Sequence, residues 1–186
     1  VRLGVYAAYV DWRKINMEIK FLTADEAKLL VPQLADLLCD GVNNGAAMGF
    51  LALLSREEAE SYWLEVVEAL KSSNRVLLVA LEHNEVIGST QLDLASRANG
   101  LHRAEVMKVM VHSQHRRKGI GLALMQAVEE KARGLNRTTL VLDTREDDVG
   151  EGLYLKAGFA RAGRIPNFAR SSDGSLHATV VMYKLL

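Results

Sequence analysis

The chain has 186 residues, 49% of them apolar, and its 23 Lys and Arg balance its 23 Asp and Glu. This length supports one sizeable hydrophobic core and is marginal for two domains, so we expect a single domain at residues 17–186. The neutral charge balance gives no argument for a nucleic-acid or membrane-surface partner, so any anion site must be local. The N-terminal residues 1–16 precede Met17, where a clear strand pattern begins, and are set aside as an extension, native or not.

The cysteine content and the apolar pattern restrict the class of protein further. The single cysteine, Cys39, excludes an intramolecular disulfide, and no Cys/His group has zinc-ligand spacing, so we expect no metal. No stretch approaches the roughly 20 apolar residues needed to cross a bilayer. We therefore expect a cytoplasmic protein.

In chain order, the first half of the domain is predicted to contain a strand, two helices and a hairpin, at residues 18–22, 23–38, 55–70, 76–81 and 86–94. Both helices begin at a predicted capping box, formed by Thr23 with Glu26 and by Ser55 with Glu58. Between them, segment 40–49 is rich in Gly and Asn and predicts a loop. This loop is either the rim of a substrate site or a plain connector.

The second half is predicted to alternate strands and helices before a final strand pair, at residues 104–111, 119–135, 139–142, 147–157, 160–165 and 176–185. The helix at 119–135 repeats apolar residues every four positions, which places Ile120, Leu124, Val128 and Ala132 on one stripe. This order of elements predicts an α/β (α+β) fold, with a mixed sheet that carries helices on its faces.

The segment before the helix at 119–135 carries the strongest functional signal. A helix N-terminus presents unpaired N–H groups and the positive end of a dipole. Gly119 and Gly121 let the backbone approach a bulky oxyanion, while Arg116, Arg117 and Lys118 add local positive charge. The segment therefore predicts a pyrophosphate-binding site, and the plainer alternative is a solvated basic turn that caps the helix.

Other phosphate-binding motifs fit this segment less well. A P-loop requires Gly-Lys-Ser/Thr, whereas Gly121 is followed by Leu122 and Ala123. The dinucleotide fingerprint is closer, because Asp143 stands about twenty residues downstream, but its third glycine position holds Leu124. Nucleic-acid binding would need a wider basic face with stacking aromatic residues.

The motifs Arg116-x-x-Gly-x-Gly121 and Tyr154-Leu-Lys-Ala-Gly-Phe159, placed around strand, helix and strand, resemble the Gcn5-related N-acetyltransferase (GNAT) superfamily. The resemblance covers roughly residues 18–186. It implies a mostly antiparallel sheet of about seven strands, with two splayed parallel strands at its centre and about four flanking helices. Shorter stretches, at 99–106, 141–144 and 172–177, are similar to the tabtoxin resistance protein type of small-molecule acetyltransferase.

The resemblance also implies acetyl-coenzyme A as the co-substrate and indicates which residues bind it. The pantetheine arm would lie between the splayed strands against the main chain of Val109, Met110 and Val111, where an N–H group could stabilise the acetyl oxygen. The pyrophosphate would contact the run Arg116, Arg117, Lys118, Gly119, Ile120, Gly121 and Leu122. Asp147 stands where the family often has an asparagine near the coenzyme, and it could instead cap the next helix.

Acetyl transfer to an amine requires a base for the nucleophile and an acid for the leaving thiolate. The resemblance assigns the acid role to Tyr154, whose phenol is protonated at neutral pH. Glu105 and Asp143, on the two splayed strands, are the candidate bases, directly or through a water molecule. The sequence leaves open which of them acts, and whether they instead pair with Lys108 or Arg145.

We therefore expect transfer of an acetyl group to a primary amine of a small molecule, such as an amino acid derivative, a metabolite, an antibiotic or a toxin. The alternatives are a protein or peptide acetyltransferase and a non-catalytic acetyl-coenzyme A sensor. The arrangement of loop 40–49 and turn 171–175 distinguishes a small acceptor from a peptide. If both segments close over the site, the acceptor is a small molecule, and if an open channel runs between them, a peptide is favoured. We expect no nucleic-acid or membrane partner, while the C-terminal strand pair offers an edge for a homodimer.

Overall fold

Seven strands and four α-helices follow one another between residues 17 and 186, which are the residues that the computed structural model describes. Residues 1–16, assigned above to an extension, lie outside the described residues. The strands are β1 (Glu18–Leu22), β2 (Arg75–Glu82), β3 (Glu85–Leu94), β4 (Arg103–Val111), β5 (Thr139–Arg145), β6 (Ala160–Arg170) and β7 (Leu176–Leu185). The helices are α1 (Ala24–Asn43), α2 (Arg56–Lys71), α3 (Ile120–Gly134) and α4 (Val149–Lys156). Within this part of the chain, no helix is both long and apolar enough to span a membrane.

The strands form one mixed sheet in the order β1-β2-β3-β4-β5-β7-β6. The neighbouring strands are antiparallel except for β4 and β5, which run parallel. Helices α1 and α2 pack on one face of the sheet, and α3 and α4 pack on the other. The predicted fold class is confirmed, and each predicted strand and helix is present.

Two apolar cores fill the spaces between the sheet and its helical layers. In the core under α3, the stripe of Ile120, Leu124, Val128 and Ala132 is buried as its spacing predicted. In the core under α1 and α2, Trp63 is fully buried. Because burial of one large apolar side chain contributes about 1.5–3 kcal/mol, these layers hold β4 and β5 firmly in place.

Strands β4 and β5 pair only at their beginnings and then separate. The pairs are Arg103 with Thr139, Ala104 with Leu140 and Glu105 with Val141. A bulge in β4 then places Lys108 and Val109 opposite Thr90 of β3, and Lys108 has a φ of 50°. Because a bulge bends its strand, β4 turns away from β5 and a gap opens at the centre of the sheet. This gap is the splay that the family resemblance implied.

The two predicted helix caps differ in the structure. At α1 the capping box is complete, since the Thr23 hydroxyl accepts from the Glu26 N–H at 3.3 Å and the Glu26 carboxylate accepts from the Thr23 N–H at 2.9 Å. At α2 the Ser55 hydroxyl accepts from the Glu58 N–H at 3.1 Å, and only this half of the box forms among the described residues. The Glu58 side chain is exposed to solvent, so its carboxylate does not need a hydrogen bond from the Ser55 N–H.

Helix α1 is longer than predicted, and the loop after it starts later. The apolar pattern predicted an end near residue 38, but the helix continues to Asn43. Val42 is buried in the core, and the Asn43 side chain accepts a hydrogen bond from the Leu54 N–H at 3.1 Å. The connecting loop therefore spans residues 44–55. Strand β6 also passes its predicted end and reaches Arg170, because it resumes pairing with β7 after a bulge.

Candidate active site

A short loop leads from β4 into the N-terminus of α3 and exposes main-chain N–H donors. Gly119 precedes the helix with a φ of 84°, in the left-handed region that favours glycine. The first helical hydrogen bond runs from the Ala123 N–H to the Gly119 carbonyl at 3.0 Å, so the N–H groups of residues 120–122 precede the ladder. Arg117 also has a left-handed backbone, with a φ of 66°. Main-chain N–H groups arranged in this way form an anion-binding concavity.

Gly121 is required for a reason that the sequence did not indicate. A Cβ at this position would lie 3.1 Å from Leu153 Cδ2 of α4 and 3.8 Å from Val111 Cγ2 of β4. The absence of a side chain therefore lets α3 pack closely against its neighbours. The role of Gly121 beside an oxyanion stays a prediction, whereas Gly119 is needed for its backbone conformation.

The loop before α3 is held by contacts from two other elements. Arg116 Nε donates to the Val111 carbonyl at 3.3 Å, and the side chains of Arg116, Arg117 and Lys118 are exposed to solvent. From the end of α1, the Asp40 carboxylate accepts from the main-chain N–H and the hydroxyl of Ser113 at 2.7 and 2.6 Å. Sequence reasoning missed Asp40 because it lies 73 residues from Ser113 and no local pattern links them.

Val109 belongs to the bulge, and Met110 and Val111 follow it, in the part of β4 that has separated from β5. Met110 points into the core under α1 and α2, whereas Val109 and Val111 pack toward α3. Their other edge still pairs with β3, at Ser89 and Gly88. The edge of β4 that faces the gap thus presents main-chain donors and acceptors that an extended ligand could pair with.

Tyr154 of α4 is 9% exposed, and its ring centroid lies 6.2 Å from that of Phe159. Burial, followed by the negative charges of Asp143 and Asp148, raises the pKa of Tyr154 far above its ordinary value. Gly150 packs close to this ring, since a Cβ at that position would lie 3.5 Å from the ring and 3.0 Å from the Thr144 hydroxyl. The phenol is therefore protonated and can act as a hydrogen-bond donor or an acid.

Glu105 and Asp143 lie on neighbouring strands and on the same face of the sheet. Ala104 and Val106, on either side of Glu105, and Leu142, just before Asp143, are buried in the core under α3, so both carboxylates face the α1 and α2 side. Burial raises the pKa of Glu105, and the charges of Asp143 and Asp93 raise it further. The Asp143 carboxylate accepts a hydrogen bond from the Thr179 hydroxyl at 2.9 Å. The structure thus brings together the two candidate bases that the sequence indicated.

Lys108, in the bulge of β4, is a cation whose position the sequence did not reveal. Its Nζ donates to the Met48 carbonyl at 2.6 Å and lies 5.5 Å from the ring centroids of Phe50 and Tyr62. Burial lowers the pKa of Lys108. The amine is therefore used to hold loop 44–55 against the bulge, and not in a direct ion pair with either carboxylate.

Asp147 does not cap α4, contrary to one of the two roles considered for it. The cap is Asp148, whose carboxylate accepts from the Val149 N–H at 2.7 Å, so α4 begins two residues later than predicted. The Asp147 N–H donates to the Glu151 carboxylate at 2.9 Å, and its own side chain is exposed. A place for Asp147 beside the coenzyme stays a prediction.

A cavity of about 610 Å³ lies between loop 44–55 and the β6-β7 turn. The Ala52 N–H donates to the Ser172 hydroxyl at 2.8 Å, so loop and turn meet beside the cavity. Arg145, at the end of β5, lines the cavity and donates from Nη2 to the Ser171 hydroxyl at 3.0 Å. Arg145 therefore contacts the turn and does not pair with Glu105 or Asp143.

These parts suit the transfer of a group from a long, phosphate-containing donor to an acceptor in the cavity. The start of α3 offers an anion site, and the gap between β4 and β5 offers main-chain partners. The charge of Asp143 acts on both the Glu105 carboxyl and the Tyr154 phenol. The fold is the one that the resemblance to acetyltransferases implied.

Comparison with known proteins identifies the family. The model of the acetyltransferase (GNAT) family matches residues 50–159, which is more than half of the chain. The chain therefore belongs to the GNAT acetyltransferase family. Acetyl-coenzyme A is the acetyl donor of this family, as the resemblance implied.

Two curated relatives share about a third of their aligned residues with the chain. Glucosamine 6-phosphate N-acetyltransferase of Schizosaccharomyces pombe is 33% identical over 91 residues, which cover 47% of this chain and 79% of that protein. N-acetyltransferase 8F1 of Rattus norvegicus is 30% identical over 129 residues, or 62% of this chain. The chain spans only 58% of the length of this second relative.

Solved structures of other acetyltransferases share the fold. A ribosomal-protein-alanine N-acetyltransferase from Brucella melitensis superposes with a TM-score of 0.75 at 22% identity, covering 91% of this chain and 99% of that one. The yncA protein of Salmonella typhimurium, solved with acetyl-CoA, also has a TM-score of 0.75, at 21% identity and with 92% and 94% of the two chains covered. At these identities the similarity establishes the fold alone.

Proposed function

We propose that the protein transfers the acetyl group of acetyl-coenzyme A to a primary amine of a small molecule. The observation that carries the choice of a small acceptor is the contact between Ala52 and Ser172, which joins loop 44–55 to the β6-β7 turn. The adjoining cavity of about 610 Å³ lies within the usual range of about 300–1,000 Å³ for small-molecule sites.

The coenzyme would be held by main-chain groups along β4 and at the start of α3. In this proposal the N–H groups of residues 116–122 bind the pyrophosphate, supported by the helix dipole and by the three exposed basic side chains. Val109, Met110 and Val111 pair with the pantetheine arm, and an N–H group beside the bulge stabilises the negative charge on the acetyl oxygen. Asp147 lies near the coenzyme phosphates.

The reaction would proceed by direct attack of the amine. Acetyl-coenzyme A supplies the acetyl group as a thioester. The amine nitrogen forms a bond to the acetyl carbon, and the carbon–sulfur bond of the thioester breaks. Glu105 takes the proton that the amine loses, because its raised pKa makes it a better proton acceptor than an ordinary glutamate. Tyr154 donates a proton to the departing sulfur and regains one from solvent. Asp143 raises the proton affinity of Glu105.

Replacement of Tyr154 by Phe tests this function. We expect kcat to fall roughly 10²- to 10⁴-fold, since one acid is lost, while the affinity for acetyl-coenzyme A changes little. The control is Tyr183→Phe, which removes a hydroxyl from a half-exposed tyrosine of β7. The two measurements are turnover with a panel of amine acceptors and calorimetric titration of acetyl-coenzyme A binding.

Two results would contradict the proposal. If the wild-type protein binds acetyl-coenzyme A but no amine accelerates its consumption, the protein is a sensor and not an enzyme. If peptides with a free N-terminus are acetylated with a much larger kcat/KM than any small amine, the acceptor is a protein. An unchanged kcat in Tyr154→Phe would show that Tyr154 is not the acid. The proposed transferase function would still stand.

A further inference from the structure

The cavity between loop 44–55 and the β6-β7 turn carries an unbalanced positive charge. Its charged and titratable lining residues are Arg145, Arg170, Asp173 and His177. The Asp173 carboxylate is used inside the turn, where it accepts from the N–H and the hydroxyl of Ser175 at 2.9 and 2.5 Å. The two guanidinium groups therefore have no carboxylate partner of their own in the cavity lining.

Arg145 has hydrogen-bonding capacity that the described residues do not use. Its Nη2 donates to the Ser171 hydroxyl, but its buried Nε has no hydrogen-bond partner within residues 17–186. A buried charged donor without an acceptor is costly, so an anion in the cavity that draws this guanidinium toward itself would relieve the cost. Arg170 donates from Nη1 to the Gly174 carbonyl at 3.1 Å, and its remaining N–H groups are available.

We infer that the acetyl acceptor carries an oxyanion, a carboxylate or a phosphate, which Arg145 and Arg170 bind in this cavity. The inference rests on the proposed function and names the class of its substrate. A guanidinium forms two parallel hydrogen bonds with either group, which a neutral acceptor cannot match. A protein N-terminus has no such anion beside its amine, so the pair of arginines also favours a small acceptor.

The position of Arg145 relative to the candidate bases supports this assignment. Arg145 follows Asp143 by two residues on β5, so the two side chains leave the same face of the sheet about 7 Å apart. One end of the acceptor region is thus cationic, while the end near Glu105 and Asp143 is anionic. An acceptor with an amine a few bonds from an anion matches both ends.

Matched pairs of acceptors test the inference on the full chain. One pair is an amino acid and its carboxamide, and the other is glucosamine 6-phosphate and glucosamine. In at least one pair, we expect the anionic member to have a kcat/KM roughly 10- to 100-fold higher than the neutral member. The pair that shows this difference identifies the anion of the acceptor as a carboxylate or a phosphate. Equal rates for charged and neutral members would overturn the inference and leave the proposed function standing. If no amine consumes acetyl-coenzyme A, both fail.

Variants then assign the effect to the arginines. Arg145→Gln and Arg170→Gln should each raise KM for the anionic acceptor roughly 10-fold or more, with KM for acetyl-coenzyme A unchanged. The control is Arg164→Gln, an exposed β6 residue whose guanidinium pairs with Glu146. Because Arg170 is exposed, Arg170→Glu should fold and should reverse the preference toward the neutral acceptor. A preference unchanged in Arg170→Glu and Arg145→Gln would contradict the assignment.

Discussion

Glu105 and Asp143 show how two identical functional groups acquire different properties from their surroundings. Glu105 is partly removed from solvent and lies near two other carboxylates, so its proton is held more tightly than in water. Asp143 accepts a hydrogen bond from Thr179, and its charge also raises the pKa of Tyr154. After burial, which is the larger cause in both cases, the same residue thus raises the proton affinity of both proposed catalytic groups.

The pH dependence of kcat/KM should report this coupling. Because Glu105 must be ionised to act as a base, activity should rise with pH through its raised pKa. Asp143→Asn removes a neighbouring negative charge, so the pKa of Glu105 should fall and the acidic limb of the profile should move to lower pH. Glu105→Gln should lower kcat roughly 10²- to 10⁴-fold over the whole range. The opposite pattern, with Asp143→Asn inactive and Glu105→Gln active, would make Asp143 the base.

At the level of elements, the site depends on where helices end and strands separate. The loop before α3 is positioned by its own left-handed residues and by Asp40 at the end of α1. The acceptor cavity depends on the bulge in β4, where Lys108 holds loop 44–55. The proposed coenzyme and acceptor regions are therefore both held by the same helix, because Asn43 at its end also accepts a hydrogen bond from Leu54 of that loop.

A pair of glycine substitutions separates backbone strain from helix propensity in α3. Gly119→Ala forces a Cβ into the left-handed conformation and should cost about 1–2 kcal/mol of stability. Gly134→Ala, at the other end of the helix, meets no atom within 4 Å and should stabilise by up to about 1 kcal/mol. Urea denaturation of both variants measures the difference. Equal stability would show that the conformation of Gly119 is not strained for alanine.

The contact between Asp40 and Ser113 can be tested in the same way. Asp40→Ala removes the acceptor for both Ser113 donors and should loosen the loop, weakening acetyl-coenzyme A binding roughly 10-fold, which corresponds to about 1.4 kcal/mol. Asp36→Ala, on the same helix with an exposed ion pair to Arg56, is the matched control and should bind normally. Calorimetric titration distinguishes them. Normal binding by Asp40→Ala would mean that the loop is positioned without this contact.

For the molecule as a whole, the proposed coenzyme site connects elements that are far apart in sequence. The main-chain site lies between β4 and α3, while Tyr154 belongs to α4 and Asp40 to α1. A ligand that contacts the native arrangement and not the unfolded chain stabilises the fold by mass action.

Acetyl-coenzyme A at 100 times its Kd should therefore add about 2.7 kcal/mol of stability. For a protein of this size the melting temperature should rise by roughly 5–10 °C. NADH at the same concentration is the control, because the third glycine of the dinucleotide fingerprint is replaced by Leu124. A thermal-shift assay measures both. Stabilisation by NADH alone would contradict our assignment of the anion site.

The sequence by itself determined the order of elements and the buried stripe of α3, and it predicted an anion site before that helix. These features depend on periodicity, glycine and charge within a few consecutive residues, which a chain displays without folding. The tertiary structure alone decided the gap between β4 and β5, the use of Asp40, Lys108 and Arg145, and the cavity. Each of these arises when segments distant in sequence are packed together, and such contacts leave no local pattern.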